Sequence, residues 1–464
     1  MLKMMLSPQA WQKKAISQTK QISKVSIAFC VSIVLSMHGY TKEVTHRKAE
    51  SLSLETLIEK IRQYQATQGL WVAQQNIADA NIKNSQLWQN PSLNIDRAGF
   101  KSDQDEEWVV GISQPLDIFG QRKVTKNVAN IAKEQVQLKQ KNYDVQLQII
   151  VKHLWSQIIL SKVESTLLKE QLAVSQDSLQ AAEKRFQAGS IAQVDVDRVR
   201  LTHLENVKLL EDVNLRLEIE EQQLANLSGQ TASNVILNQD VQSLWPEQTF
   251  EIVNQNLQAN LQEKLLQVQI LEAQANLTLL DAQRRPNPTV NVSIKQTKKP
   301  NNDQDQQLTL GVSIPVSIFN RQQHRMEIAK AKVNVLDKQQ QFYRKQNQLE
   351  VQTKLTELKG LKKQFNLITT QQVPLALNIQ QRTLQGFKAG KLNVMDIQQA
   401  TLQLHGARLQ VVQMLKMAWQ KSIEVESLSL GIEPSKLMAA DALNQLNQDL
   451  VQDTNALAII GVDN

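Results

Sequence analysis

The sequence predicts a mainly α-helical fold with a small β part, built from two copies of one unit. Three observations predict it. Matched landmarks recur at a spacing of about 200 residues, and long stretches free of proline and glycine repeat apolar residues at helical spacing. Each copy also contains a pair of short segments in which apolar and polar residues alternate. The chain is therefore predicted to be a duplicated helical unit that carries a short β-hairpin.

Four landmarks occur in the same order in both copies. They are Pro91 and Pro288, 197 residues apart; Pro115 and Pro315, 200 apart; Phe186-Gln187-Ala188-Gly189 and Phe387-Lys388-Ala389-Gly390, 201 apart; and the glycines of Leu227-Ser228-Gly229 and Leu428-Ser429-Leu430-Gly431, 202 apart. The small drift in spacing indicates a few insertions of one or two residues. The chain is thus a duplication and not a long solenoid.

The first 40 residues predict a secretory signal. Residues 1–24 hold five lysines and no acid, and the apolar run from Val25 to Met37 is too short to span a bilayer as a helix. We place the cleavage between His38 and Lys42; a retained N-terminal anchor is the alternative. Removing the five lysines from the 52 basic residues leaves 47 against 45 acids. Most of the +7 charge belongs to the signal, and the sequence predicts no nucleic-acid partner.

The sequence offers no catalytic or cofactor-binding constellation. Cys30, the only cysteine, lies inside the signal, so we expect neither a disulfide nor a thiolate metal site in the mature chain. A lipidated Cys30 is the alternative, but bulky Phe29 precedes it and apolar residues follow. The histidines are dispersed, and neither a phosphate-binding glycine loop nor a nucleophile elbow is present. We therefore predict no enzyme, no cofactor and no metal site.

The hairpins are predicted over residues 92–118 and 289–318. In the second copy, apolar residues from Leu308 to Ile318 occupy every other position. Strands of roughly 9 to 11 residues suit a tilted membrane strand, and no stretch after residue 40 approaches 18 apolar residues, so any membrane insertion must use β-strands. A small soluble sheet packed on the helices is the alternative. Aromatic residues at the strand ends suit either an interfacial girdle or ordinary packing; they are Trp88, Trp108, Phe119 and Phe319.

The two copies have the same predicted layout. The first, residues 41–250, contains a helix from Leu54 to Trp88, the hairpin, a long helix over 121–188, a short helix over 193–227 and a connector over 228–250. The second, residues 251–432, contains a helix from Glu251 to Arg285, the hairpin, a long helix over 321–389 and a short helix over 393–428. A polar C-terminal tail over 433–464 is expected to be the counterpart of the connector. Gly360 and Pro374 interrupt the second long stretch, so we expect a kink near Pro374.

Four short strands per chain cannot close a barrel. Membrane barrels begin at about eight strands, and an open sheet edge in lipid leaves backbone groups unpaired. The strands therefore predict an assembly of several copies, and the pattern is compatible with dimers of 8 strands or trimers of about 12. A periplasmic or surface coiled-coil scaffold without a pore is the alternative from another class of protein.

Two pairs of segments around the hairpins carry a family resemblance. They are Gln89-Asn90-Pro91-Ser92-Leu93 with Ser113-Gln114-Pro115-Leu116-Asp117-Ile118-Phe119-Gly120-Gln121-Arg122, and Arg285-Pro286-Asn287-Pro288-Thr289 with Ser313-Ile314-Pro315-Val316-Ser317-Ile318-Phe319-Asn320-Arg321. From about residue 52 to 432 the chain resembles the TolC family of outer-membrane efflux factors, most of all the branch that serves cobalt, zinc and cadmium pumps. The four prolines Pro91, Pro115, Pro288 and Pro315 would mark the junction of barrel and helices.

The resemblance implies a homotrimer in outer-membrane lipid. Its 12-stranded β-barrel would continue into a long periplasmic α-helical barrel. The expected partners are a periplasmic adaptor protein and an inner-membrane, proton-driven transporter of the resistance-nodulation-division type. The expected cargo is a divalent heavy metal; a duct for drugs or for type I protein secretion is the alternative.

The resemblance also assigns the turns between long and short helices to the periplasmic tip, where the tunnel is gated and the adaptor docks. The residues are Phe186, Ala188, Gly189 and Ser190 in the first copy and Phe387, Ala389, Gly390 and Lys391 in the second. Asp195 and Asp396, six residues after each tip glycine, would constrict the pore, although the helix dipole alone also favours an acid there. Gln399 stands where well-known members carry a second acid, and Leu392 where some carry a basic residue. We expect the kinked second copy to move more on opening.

Overall fold

The computed structural model describes residues 54–66, 69–100, 105–229, 244–299, 303–439 and 441–455. The expected signal over 1–40, residues 230–243 of the expected connector and residues 456–464 lie outside the described part. Within it the fold is mainly helical, with one small antiparallel sheet. None of the helices described combines the length and the apolar character that a membrane crossing needs.

The elements of the two copies follow one another in the same order. The first copy contains α1 (Leu54–Ala66), α2 (Leu70–Asn84), β1 (Ser92–Ala98), β2 (Glu106–Pro115), α3 (Gln121–Gln187) and α4 (Gln193–Leu227). The second contains α5 (Phe250–Gln258), α6 (Leu261–Gln283), β3 (Thr289–Lys298), β4 (Gln304–Ser313), α7 (Gln323–Leu367), a π-helical turn (Ile368–Gln372), α8 (Val373–Lys388) and α9 (Val394–Leu430). Two further helices follow, α10 (Pro434–Leu437) and α11 (Ala442–Asn455).

The largest apolar cluster lies around the middle of α3. Val151, Ile158 and Leu160 of α3 are fully buried there, together with Leu224 of α4 and Ile423 of α9. With 67 residues and neither proline nor glycine inside, α3 runs for roughly 100 Å. It packs against α2 and α6 near the sheet, against α4 towards its other end, and against α9. This helix is the support on which both copies are assembled.

The helices that lead into the hairpins are broken, whereas the sequence predicted each as one helix. The first divides into α1 and α2, and Gly69, with φ +69°, directly precedes α2. The second divides at Asn260, which is buried and caps α6 by accepting a hydrogen bond from the Glu263 N–H at 2.9 Å. The Asn260 amide also donates to the Ser429 carbonyl at the end of α9. Asn260 thus turns the chain and ties it to the neighbouring helix.

The second long stretch is interrupted by the π-helical turn and not by Gly360, which lies inside α7. The Val373 N–H donates to the Ile368 carbonyl, five residues back, and such a turn holds one residue more than an α-helical turn. The spacing of the two copies grows by one residue, from 200 to 201, between Pro115/Pro315 and Phe186/Phe387. The π-helical turn therefore absorbs a one-residue insertion, directly before the expected kink at Pro374.

The four strands form one antiparallel sheet in the order β1-β2-β3-β4. β2 pairs with β3 although all of α3 and α4 separates them, with Pro115 opposite Thr289 and Glu106 opposite Lys298. The two copies are thus joined through the sheet. β4 ends at Ser313, five residues before the predicted end at Ile318, because Pro315 has no N–H to continue the ladder.

The C-terminal segment is not merely a polar tail, which is a correction to the sequence prediction. Leu437, Leu446 and Leu450 are buried in the cluster around α3. Burial raises the pKa of Tyr143 to about 12, so its hydroxyl stays protonated and donates to the Asn447 side-chain oxygen at 2.9 Å. The spacing of these leucines among polar residues hid an amphipathic helix from the sequence reading.

The end of α9 provides a test of this packing. Gly431 has φ +83°, and a Cβ there would overlap the Asn260 side-chain oxygen and lie 2.7 Å from the Gln262 backbone nitrogen. We expect Gly431→Ala to lower the free energy of unfolding by about 2–4 kcal/mol, through backbone strain and overlap. Gly360→Ala, in open space inside α7, should instead add about 0.5–1 kcal/mol. Thermal unfolding followed by circular dichroism measures both, and equal effects of the two variants would contradict the described packing.

Candidate functional site

The sheet has one apolar and one polar face. Residues directly opposite one another in the register share a face, which places ten apolar side chains together: Leu93, Ile95, Val110, Ile112, Val290, Val292, Ile294, Leu308, Leu310 and Val312. Nine of the ten are exposed, and Leu308 and Leu310 reach 75% and 74%. We call this set the apolar sheet face. No helix described covers it, so in a single chain in water this face would be exposed to solvent.

The opposite face is polar along all four strands. It carries Asn94, Asp96, Glu107, Ser113, Asn291, Ser293, Lys295, Thr297, Asp305, Gln307, Thr309 and Ser313, with Val109 as the large apolar exception. Lys295 pairs with Glu107 at 2.8 Å, and the Asn94 amide donates to the Ser113 hydroxyl at 2.7 Å. The sheet is therefore suited to separate an apolar medium from water.

Near the hairpin loops, the apolar sheet face is bordered by Arg97, whose guanidinium lies over two aromatic rings. The Arg97 guanidinium lies 5.0 Å from the Trp108 ring centre and 5.2 Å from that of Phe100, and it pairs with Glu106 at 2.7 Å. Arg97 and Trp108 are opposite each other and share the face of Leu93 and Ile95. A charged and aromatic border at the end of an apolar strip is typical of a membrane interface.

The other end of the sheet is firmly joined to the helices in the first copy. Asp117 caps α3 by accepting the Gln121 and Arg122 N–H groups at 2.8 and 3.0 Å, and the Arg122 guanidinium lies 3.7 Å above the Trp88 ring. The Leu116 N–H donates to the Pro288 carbonyl at 2.8 Å, which ties the junction to the second copy.

The second junction lacks these contacts. Ser317 replaces Asp117, and Gln322 replaces Arg122 with a backbone φ of 59°. Pro315 lies beyond β4, and Phe319 is 92% exposed. Pro91 directly precedes β1, whereas Pro115 is the last residue of β2. The predicted junction prolines thus all lie where strands meet helices, but only the first copy secures its junction within the chain.

The two helix turns are closed by the same cap. Gly189 and Gly390 have φ of 69° and 77°, which glycine adopts without strain. The Ser190 N–H donates to the Arg185 carbonyl at 2.8 Å, and the Lys391 N–H donates to the Gly386 carbonyl at 2.9 Å. Ala188 and Ala389 directly precede the two glycines. Residues 188–190 of the first turn and 389–391 of the second are all exposed.

The two turns differ in their phenylalanines. Phe186 is 41% exposed, whereas Phe387 is buried in a cluster with Val196, Val394 and Ile397. Arg185 of the first turn covers Phe387, with its guanidinium 4.7 Å from the ring centre, and donates to the Leu392 carbonyl at 3.1 Å. The first turn therefore holds the second one within the same chain.

The two predicted constriction acids have different partners. Asp396 and Asn393 form a capping box, in which the Asp396 carboxylate accepts the Asn393 N–H at 2.9 Å and the Asn393 side chain accepts the Asp396 N–H at 3.0 Å. Asp195 instead pairs with Arg198 at 3.4 Å. Gln399, one turn after Asp396, is exposed. The capping box accounts for an acid at 396 without any pore, and the bond to Asn393 fixes the carboxylate in the first turn.

A cavity of roughly 330 Å³ lies between α3, α4 and the C-terminal helices. Burial lowers the pKa of His153 and raises that of Glu220, both of which line it, so their uncharged forms are favoured. Across the residues that the structure describes, no group of three or more His, Cys, Asp or Glu side chains is placed to hold a metal ion.

A sheet with one exposed apolar face and long helices at one end of its strands is the layout of a protein that inserts the sheet into a membrane. The family model of the outer membrane efflux protein matches residues 71–230 and 252–429, one match for each copy. The chain belongs to this family. It is an outer-membrane efflux protein and not an enzyme, as the sequence analysis predicted.

Individual relatives agree with the family. The chain is 23% identical over 335 residues to the cobalt-zinc-cadmium resistance protein CzcC of Cupriavidus metallidurans, a match that covers 68% of this chain and 75% of the relative. Among solved structures, VceC of Vibrio cholerae superposes with a TM-score of 0.61 at 14% identity and covers 82% of this chain and 96% of its own. CusC gives 0.62 at 17% identity, with 82% and 92% covered. The fold expected from the resemblance is confirmed.

The sequence reading missed four residues whose contacts hold the helix turns and the first junction. Arg185, Asn393, Asp117 and Arg122 each make a contact described above, and none was singled out. Asn393 could have been found as the first residue of a cap that has an acid three positions later. Arg185 gave no local signal, because its contacts lie about 200 residues away in the chain.

The contact of Arg185 with the second turn yields a prediction. Replacing Arg185 by glutamine removes the charge above Phe387 and weakens the bond to the Leu392 carbonyl, which together should cost about 1.5–3 kcal/mol of local stability. We expect amide hydrogen exchange over residues 386–396 to become at least about tenfold faster, since 1.4 kcal/mol corresponds to a factor of ten. Arg198→Gln, which breaks only the exposed pair with Asp195, is the matched control. Unchanged exchange in Arg185→Gln would show that the first turn does not hold the second.

Proposed function

We propose that the protein is the outer-membrane channel of a tripartite efflux system that exports divalent heavy-metal cations such as cobalt, zinc and cadmium. Three copies assemble into one 12-stranded barrel, continuous with a periplasmic helical tunnel. A periplasmic adaptor joins the tunnel to an inner-membrane transporter of the resistance-nodulation-division type. The exposed apolar sheet face is the observation that carries this proposal.

The edges of the sheet support ring closure. Among the described strands, β1 and β4 each pair on one side only, and they run antiparallel to each other because every step in the sheet is antiparallel. β4 of one copy can therefore continue onto β1 of the next in the same pattern. Each unpaired backbone group in lipid would cost several kcal/mol, so closure removes a large penalty. Three copies bring the strand number into the range of known membrane barrels.

A stripe on α7 supports the same assembly. Ile328, Val335, Phe342 and Leu349 follow at seven-residue steps, and all four are exposed. Gln340 hydrogen-bonds the Glu263 carbonyl of α6, and Phe342, two residues later, points about 200° away from it. The stripe thus lies opposite α6, where a ring of helices would place the next copy.

The helix turns supply the adaptor site and the constriction in this proposal. The docking residues are Phe186, Ala188, Gly189, Ser190, Phe387, Ala389, Gly390 and Lys391. Around a threefold axis, Asp396 would give a ring of carboxylates that attracts cations, with Gln399 and Asp195 as the other residues of the constriction. The exposure of both turns and the fixed position of the Asp396 carboxylate are compatible with these roles.

The cargo assignment rests on the relative that is named a cobalt-zinc-cadmium resistance protein. No tight metal site is needed in this chain, because a duct that held its cargo firmly would release it slowly. Selectivity would then reside in the transporter. The same duct could serve a drug pump if it were paired with a different transporter.

Growth of a deletion strain tests the function directly. The strain lacking this chain should stop growing at several-fold lower zinc, cadmium and cobalt concentrations than the parent, while its tolerance of several drugs should change little. The native gene should restore tolerance, and Asp396→Ala should restore it only in part although trimers form.

Two outcomes would contradict the proposal. Loss of drug tolerance with unchanged metal tolerance would assign the duct to a drug pump. Full complementation by both Asp396→Ala and Gly390→Asp, with unchanged channel conductance, would remove the assignment of the tip.

A further inference from the structure

Three ion pairs join α3 to α9 within the chain. Lys152 pairs with Glu426 at 2.5 Å, Glu164 with Lys416 at 2.7 Å and Glu170 with Arg408 at 3.2 Å. The residue numbers rise along α3 as they fall along α9, so the two helices are antiparallel and the pairs set their register. We call this contact the inner seam.

The duplication provides a second seam of the same kind between copies of the chain. α7 and α8 are the counterpart of α3, and α4 is the counterpart of α9, with shifts of 200 residues before the π-helical turn and 201 after it. Within the chain α4 packs mainly on α3 and makes no comparable contact with α7 or α8. This inference rests on the proposed ring of copies, in which α4 would meet α7 and α8 of the next copy.

The ion pairs of the inner seam have no charged counterparts. Lys152 and Glu426 correspond to Gln352 and Ala225, and Glu164 and Lys416 correspond to Gln364 and Leu215. Glu170 and Arg408 correspond to Gln371 and Val207. A seam between copies must therefore be held by other contacts.

The second seam instead has charged residues two helical turns from the positions that correspond to Lys152 and Glu426. Ile159 follows Lys152 by seven residues, and Trp419 precedes Glu426 by seven, so both lie on the inner seam at the same height and belong to its apolar cluster. Their counterparts are Lys359 on α7 and Glu218 on α4, and both are exposed. If two chains pack in the register of the inner seam, Lys359 of one therefore lies opposite Glu218 of the other.

Further exposed residues lie on the two helices around this pair. On α7 and α8 they are Lys363, Leu367 and Leu375; on α4 they are Leu204, Glu211 and Leu215. In the transferred register Leu375 lies opposite Leu204, whereas Lys363 lies opposite Leu215 and Leu367 opposite Glu211. Lys363 is within about one helical turn of both Glu211 and Glu218. Apolar side chains as exposed as Leu215, at 60%, and Leu375, at 63%, are expected to be covered in an assembly.

We propose that α4 of one chain binds α7 and α8 of the neighbouring chain in the register of the inner seam. Glu218 of the first chain then pairs with Lys359 of the second. The two seams carry their charges at different heights. If α4 were set against α3 of another chain in the same register, Glu218 would face Ile159 instead of Lys359, so this pair favours the proposed neighbour.

Cysteine cross-linking tests the register in the full-length protein in the outer membrane. Cys30 is the only native cysteine and is replaced by serine. Glu218→Cys combined with Lys359→Cys should cross-link copies into covalent trimers under mild oxidation. Glu205→Cys with Lys359→Cys is the matched control, because residue 205 lies about 20 Å further along α4. Equal cross-linking of both pairs would overturn the register.

Charge exchange gives a second readout that does not need cysteines. Glu218→Lys should lower the temperature at which trimers dissociate by several degrees, since it faces Lys359 and Lys363, and adding Lys359→Glu should recover at least half of that shift. Intact trimers with no cross-link and no recovery would overturn this seam and leave the proposed channel standing. A chain that remains monomeric in the membrane would overturn both.

Discussion

Ten apolar side chains on one face of a four-stranded sheet constrain the whole molecule. The face cannot turn inward, because the helices begin where the strands end and the opposite face carries charges and amides. Burying it in lipid stabilises it by the hydrophobic effect, but lipid then penalises every unpaired backbone group at β1 and β4. Only pairing with further copies satisfies both conditions. Assembly is in this sense a property of the sheet, and the helices follow from it.

The duplication explains why the helices can follow. Helix surfaces that are packed in the first copy have counterparts in the second copy that point out of the chain. α3 lies between α2 and α6, and α7 has α6 on one side and a bare apolar stripe on the other. The secured junction at Asp117, Arg122 and Trp88 has an unsupported counterpart at Phe319. The two copies thus form part of a repeating arrangement, and the unpacked surfaces of the second copy are where a further chain would continue it.

The copies have nevertheless diverged where they meet. Arg185 holds the second turn within its chain, whereas its counterpart Gly386 has no side chain to hold the first turn of another copy. The second long helix also carries a one-residue insertion, which the π-helical turn absorbs. The first turn therefore holds the second within the chain, whereas glycine at position 386 offers no matching side-chain contact to a neighbouring chain. This asymmetry favours movement between chains over movement of one copy against the other within a chain.

Much of the fold was accessible from the sequence because it depends on local pattern. α4 was predicted with its observed bounds and α3 to within one residue, since neither contains proline or glycine and both end at turn residues. The breaks at Gly69 and Asn260 were missed because their causes lie elsewhere in the fold; Asn260 is held by the end of α9. The C-terminal helices were missed for the same reason, as their leucines become meaningful only against α3. At the tip, glycines with positive φ were predictable, whereas the contact of Arg185 with Phe387 depends on two turns meeting across about 200 residues.

The number of chains in the assembled particle tests the central claim most directly. Native mass spectrometry of the protein extracted from outer membranes in mild detergent counts the copies without assuming any interface. The account predicts particles of three chains that persist when the detergent concentration is raised. A stable population of single chains in the membrane extract would contradict it, because one chain cannot pair both edges of its own sheet.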